Sequence, residues 1–91
     1  MATNATISIA LDTGEFANVY NHYDGQPERM LQFLDLYTDE QILAAKEIRF
    51  MDACGIEAFK DARAPLVTTE PECVSGYHYV RDENGKWMVR K

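Results

Sequence analysis

The chain has only two cysteines in 91 residues, Cys54 and Cys73, and they form no close pair. A disulfide-stapled secreted mini-domain carries more, so both read as reduced thiols, and their spacing is not that of a structural zinc site. No run of about 18 apolar residues exists, so no helix is expected to span a membrane. The N-terminus, Met1-Ala2-Thr3-Asn4, lacks both the basic region and the apolar stretch of a signal peptide. These absences point to a cytoplasmic protein. The five glycines are isolated, so there is no loop to cradle a phosphate. No serine elbow or metalloprotease helix motif occurs. The sequence therefore implies neither a cofactor nor an enzymatic activity.

Basic residues are scarcest in the first half. Residues 1–45 hold seven acids (Asp12, Glu15, Asp24, Glu28, Asp35, Asp39, Glu40) and one base, Arg29. Residues 46–91 hold eight of each, so the whole net charge of −6 lies in the first half. Nucleic acids and anionic membranes are bound through Lys and Arg, so direct contact with either is not expected. The distribution suits steering toward a basic surface, such as that of a nucleic-acid-binding host protein. The same charge also serves simply to keep a small domain in solution.

What remains is ordinary globular usage, with 46% hydrophobic and 26% charged residues and length for a single domain over 1–91. Residues 6–11 alternate as a strand with Ile7, Ile9 and Leu11 on one face. Asp12-Thr13-Gly14-Glu15 is turn chemistry, and 16–22 follow as a second strand. Pairing Leu11 with Phe16 places Tyr20 and His22 on the face that receives the helices. Pro27 suits the first turn of a helix over 27–37. Thr38 and Gln41 form a capping box for a second helix, predicted to reach Ala53 with Gly55 just past its end. Cys54 there reads as a small buried hydrophobe. Residues 56–64 are expected to add further helical turns before Pro65, and Leu66-Val67 a short strand. Tyr77–Arg81 and 86–90 form a hairpin over Asp82-Glu83-Asn84-Gly85, with Tyr77, Tyr79, Trp87 and Val89 on one face. The expectation is an α+β domain in ββ-αα-ββ order, a small antiparallel sheet with the helices packed on one face.

One segment concentrates polar chemistry: Tyr20-Asn21-His22-Tyr23-Asp24-Gly25, where a strand ends and a helix begins. Such junctions often carry function, because they are accessible and rigidly held. His22 is a candidate acid or base, with Asp24 two residues on to orient its ring. The segment equally suits a structural role, with Asp24 capping the first helix and His22 satisfying a backbone group at the sheet edge. Asp35, Asp39, Glu40 and Glu47, with Asp24 and Glu28, read either as an acidic contact surface or as a solvated helix face. Tyr77, Tyr79 and Trp87 are better read as core or protein contact than as a base-stacking platform, since basic neighbours are few.

The run Val19-Tyr20-Asn21-His22-Tyr23-Asp24-Gly25-Gln26-Pro27-Glu28 resembles the hallmark of small phage and prophage proteins. These typically read Ile-Tyr-x-His-Trp-Asp-Gly-Tyr-Pro-Glu after an N-terminal strand. Tyr77-His78-Tyr79-Val80 and Gly85-Lys86-Trp87-Met88-Val89 resemble their closing strand pair. Tyr23 and Gln26 depart from the usual tryptophan and tyrosine. The resemblance implies a phage-encoded accessory protein that binds, and inhibits, a host protein or complex, antiviral defence systems included. Tyr20, His22, Tyr23, Asp24, Glu28, Asp35, Asp39 and Glu40 are then the expected binding residues, and a homodimer is left open. Two other readings stand beside it: a small-molecule or nucleotide binder or minor enzyme using Tyr20, His22 and Asp24, and a self-assembling virion component.

Overall fold

The computed structural model describes residues 3–81 and 84–90. Strands β1 (Ala5–Ala10) and β2 (Phe16–Asn21) form the opening hairpin. Its register pairs Ala10 with Phe16, Ile9 with Ala17 and Ile7 with Val19. The five-residue loop 11–15 is closed by the Leu11 amide on Glu15 O at 2.8 Å, and Gly14 takes φ +88°, a conformation open to glycine. This register sets apolar residues opposite apolar ones, Ile7 and Ile9 against Val19 and Ala17. Ser8 then faces Asn18, and Thr6 faces Tyr20, on the other side.

Helix α1 (Pro27–Phe33) starts at a proline, as expected, but passes at Leu34–Leu36 into a 3-10 turn. Helix α2 (Asp39–Ala45) begins with the full capping box: the Gln41 amide donates to Thr38 Oγ1, and the Thr38 amide donates to Gln41 Oε1. Strands β3 (Ile48–Asp52) and β4 (Gly55–Ala58) follow as a second hairpin. A short β5 (Leu66–Thr68) precedes β6 (Tyr77–Arg81) and β7 (Trp87–Arg90). Together they make one seven-stranded sheet in the order β4-β3-β2-β1-β6-β7, with β5 added alongside β2. It is mixed: β1 with β6 and β2 with β3 are parallel, and the remaining pairs are antiparallel.

The expected ββ-αα-ββ α+β arrangement, a small antiparallel sheet with helices packed on one face, is therefore overturned. Sheet dominates, and the two helices are seven residues each. The long second helix ends at Ala45, because Lys46 takes φ +67° and the chain leaves the helical region there. Ile48 to Ala58 then form strands instead of continuing the helix. Asp52 closes their turn, its Oδ1 accepting from the Cys54 amide at 2.8 Å and the Gly55 amide at 3.1 Å. Cys54 accordingly lies exposed in a turn rather than buried, and Cys73 is also exposed; both are free. Residues 56–64 add no helical turn. The short strand at Leu66-Val67 and the closing strand pair fall where the sequence placed them, with Tyr79 opposite Val89. The turn between them lies partly on Asp82 and Glu83, outside the described residues.

One buried cluster joins Ala5, Ile7 and Ile9 to Val19, Tyr79, Met30, Phe33, Leu34, Ile42, Ile48 and Met51. Each fully buried Ile, Leu or Met there contributes roughly 1.5–3 kcal/mol by leaving water. The opposite face is polar and is closed by the chain itself. Thr6, Ser8, Asn18 and His78 are buried there, beneath residues 66–75. Thr6 Oγ1 donates to Ser75 O and accepts from the Val74 and Ser75 amides, each at 3.0 Å. Asn18 Nδ2 donates to Leu66 O and Thr68 Oγ1, each at 2.8 Å.

The segment from Asn21 to Gly25 ties the two halves of the sheet together. The His22 and Tyr23 amides donate to Ile48 O at 2.9 Å and Arg49 O at 2.8 Å, extending the parallel contact with β3. The Gly25 amide donates to Thr3 O at 2.8 Å, and the buried Tyr79 hydroxyl donates to Gly25 O at 2.6 Å. A Cβ on Gly25 would lie 2.6 Å from Thr3 O and 2.7 Å from Asn4 O, both backbone atoms that cannot turn aside. Gly25→Ala should therefore cost about 2 kcal/mol or more in chemical denaturation. Gly14→Ala meets nothing within 4 Å and carries only the strain of its φ, roughly 1 kcal/mol. Equal losses in the two variants would refute this account of Gly25.

Candidate functional site

The hairpin register decides where the candidate residues point. Because Ala10, not Leu11, faces Phe16, Tyr20 lies on the polar side of the sheet, away from the main core. The pairing of Leu11 with Phe16 and the helix-facing position of Tyr20 and His22 are thus corrected together. A slip of one residue exchanges the two faces of a strand.

Tyr20, His22 and Tyr23 do meet. The Tyr20 hydroxyl lies 2.5 Å from His22 Nδ1. The His22 ring packs edge-on against Tyr23, with centroids 4.5 Å apart, and against Phe59 at 5.8 Å. The Arg49 guanidinium sits 5.9 Å from the Tyr23 ring centroid. Burial, with the Glu47 carboxylate next in weight, raises the Tyr20 pKa above its ordinary value, so its hydroxyl keeps its proton. Glu47 is itself anchored. Its Oε1 accepts from Arg63 Nε at 2.7 Å and from the Arg63 amide at 2.9 Å, and the Arg63 hydrogen bond holds the carboxyl below its usual range.

Asp24 does not join this group. It takes φ +58°, and its carboxylate makes no hydrogen bond among the described residues. The helix cap is Gln26, without a side-chain bond, and the His22 ring is held by Tyr20 instead. The acids of the first half also divide. Asp39 is ion-paired with Arg81, whose guanidinium also lies 5.1 Å from the Trp87 ring centroid. Glu28, Asp35 and Glu40 are exposed.

Two groups of residues escape the sequence reading. Arg49, Glu57, Phe59 and Lys60 line a groove of about 530 Å³ with His22 and Tyr23. Their signal was the turn Asp52-Ala53-Cys54-Gly55 between two short apolar runs, which marks a hairpin when it is not read as the end of a helix. The second group is the buried chain His78, Ser8 and Asn18. Asn18 Oδ1 accepts from the Glu72 amide at 3.1 Å, which fixes the side-chain orientation. Ser8 Oγ, 2.6 Å from that oxygen, therefore donates to it. His78 Nε2, 2.7 Å from Ser8 Oγ, must then donate to the serine. An activated serine gives its proton to histidine, and here the order is reversed. The chain holds the sheet to residues 66–75 rather than preparing a nucleophile.

Among the described residues no group of three or more His, Cys, Asp or Glu side chains is placed to hold a metal ion. No helix among them is long and apolar enough to cross a membrane. Compared with protein-family models, curated proteins and solved structures, the chain matches none.

Burial, and then the Arg90 guanidinium on the neighbouring strand, hold the His78 imidazole below its ordinary pKa of 6.5. A base lowered in the folded state binds fewer protons folded than unfolded. Its contribution to stability is complete above pH 6.5 and is lost as pH falls below that value. The denaturation midpoint should fall between about pH 7 and about pH 5, above the range where carboxylates titrate. His78→Gln, which keeps a donor near the Nε2 position, should flatten that part of the curve. An unchanged slope in the variant would assign the effect to other groups.

Proposed function

We propose that the chain is a non-enzymatic, phage-type accessory protein that acts by binding, and thereby blocking, a host protein with a basic surface. The observation that carries this reading is the set of exposed acids and leucines in the helical segments between 27 and 45. Glu28, Asp35 and Glu40 stand exposed there, with Leu31 at 42% and Leu36 at 58% of full exposure among them. Glu28 and Leu31 share one helix face at the i, i+3 spacing, and Asp35 and Leu36 follow in the adjoining turn. Among the described residues none of these three acids is in an ion pair. Carboxylates around exposed leucines offer a partner both steering charge and apolar area to bury. Asp39 drops out of this surface, because Arg81 neutralises it. The resemblance of Tyr20 to Glu28 to the phage motif supplies the phage origin and the inhibitory role.

The test is affinity capture from a host lysate with the wild type and with Glu28→Lys, Asp35→Lys and Glu40→Lys combined. A partner should be captured at low salt, weakened near 0.3 M salt, roughly where the screening length drops to about 5 Å, and lost with the triple variant. All three positions are exposed, so the fold should survive, as thermal unfolding would register. Capture that is indifferent to both salt and charge reversal would end the acidic-surface reading.

A further inference from the structure

The groove between Tyr23 and Lys60 has a character opposite to that of the acidic helices. In a chain of net charge −6 it presents Arg49 and Lys60 against a single acid, Glu57, beside two aromatic rings. Arg49 Nη1 is bound to Glu57 Oε1 at 3.0 Å, but both side chains are about half exposed, and the guanidinium has further donors to offer. Lys60 is exposed. Tyr23 is 39% exposed despite its size.

His22 completes the set. A neutral imidazole has one donor and one acceptor nitrogen. Tyr20 retains its proton, and the one described acceptor within reach of its hydroxyl is His22 Nδ1. With the tyrosine as donor to Nδ1 the ring proton lies on Nε2, and this is the tautomer the proposal below requires. The ring cannot swing away, because Tyr23 and Phe59 pack against it and the Tyr20 bond holds its other side. The loop bearing Phe59 and Lys60 is held in turn at Glu47, whose carbonyl accepts from the Phe59 amide at 3.1 Å and whose carboxylate binds Arg63. The groove thus combines a His22 ring held in place, two cations and aromatic surface.

We propose that this groove binds a mononucleotide. Its phosphate is taken by Lys60, Arg49 and the Nε2–H of His22, and its base stacks on the exposed part of the Tyr23 ring. A phosphate monoester accepts several hydrogen bonds at once, which suits a groove lined by Lys60, Arg49 and His22. A flat base matches the aromatic wall, and stacking tolerates any of the bases. The groove is too open to enclose a ligand, so affinity in the millimolar to high-micromolar range is expected.

The experiment is NMR on the full ¹⁵N-labelled chain titrated with AMP, with inorganic phosphate and adenosine as the two half-ligands. In the free protein the His22 ring should show protonated Nε2 and unprotonated Nδ1, and Tyr20→Phe should release that preference. AMP should shift the signals of His22, Tyr23, Arg49 and Lys60 in a saturable way, about tenfold more tightly than either half-ligand alone. Lys60→Gln, at an exposed position, should weaken AMP and phosphate alike by roughly tenfold, the scale of one lost charge-assisted bond. Tyr23→Leu should reduce AMP to the level of phosphate. A proton on Nδ1 would overturn the proposal, as would shifts gathered on β7, or AMP binding no tighter than phosphate. No saturable shift up to about 10 mM, the weak end of the millimolar scale, would overturn it as well.

Discussion

Setting Ile7 opposite Val19 commits every other part of the sheet, because side chains alternate strictly along a strand. With that pairing Ile7, Ile9, Ala17 and Val19 share one face, and the helices bring Met30, Phe33, Leu34 and Ile42 to it. The other face is left with Thr6, Ser8, Asn18 and, from the parallel neighbour strand, His78. None of these can be buried bare, since an unpaired polar group in the interior costs roughly 1–3 kcal/mol. Residues 66–75 supply the missing partners, largely from their backbone. Their path over the sheet follows from the polar row beneath them.

The same register places Tyr20 beside His22 on the outer side of the sheet, where β2 runs out against β3. There the chain performs three tasks within six residues. Asn21 is fully buried and its Nδ2 holds the Tyr23 carbonyl at 2.7 Å. His22 and Tyr23 extend the contact to β3 through their amides. Asp24 and Gly25 turn the chain toward α1 beneath the Tyr79 hydroxyl. The backbone of the segment is structural and its His22 and Tyr23 rings line the groove, so the structural reading and the proposed binding role apply to different atoms of the same residues.

Charge is also divided in space. Glu28, Asp35 and Glu40 stand exposed on the helical segments without an ion pair among the described residues, while Asp39 is paired with Arg81 and Glu47 with Arg63. The cations of the second half supply those partners and place Lys60, with the Arg49–Glu57 pair, around the groove. A single net charge for the whole chain conceals two surfaces of opposite preference. In the proposals above, one meets a basic protein and the other a small anion.

The sequence by itself determined the elements with strong local signals. The first two strands, Pro27 at a helix start, the Thr38–Gln41 capping box and the closing strand pair are all written in a few neighbouring residues. It also determined that Tyr20 to Gly25 sits at a strand-to-helix junction. Only tertiary structure decided that the stretch after Lys46 would be strand. Ile48, Phe50 and Met51 satisfy helical and extended spacing about equally, and β3 becomes favourable once Asn21 to Tyr23 offer it backbone partners. The groove partners of His22 were illegible for the same reason, since Arg49, Phe59 and Lys60 reach it across a pairing distant in sequence. The face on which Tyr20 lies turned on a single residue of register. Alternation along one strand specifies two faces, and only the partner strand and the core it joins specify which of them is buried.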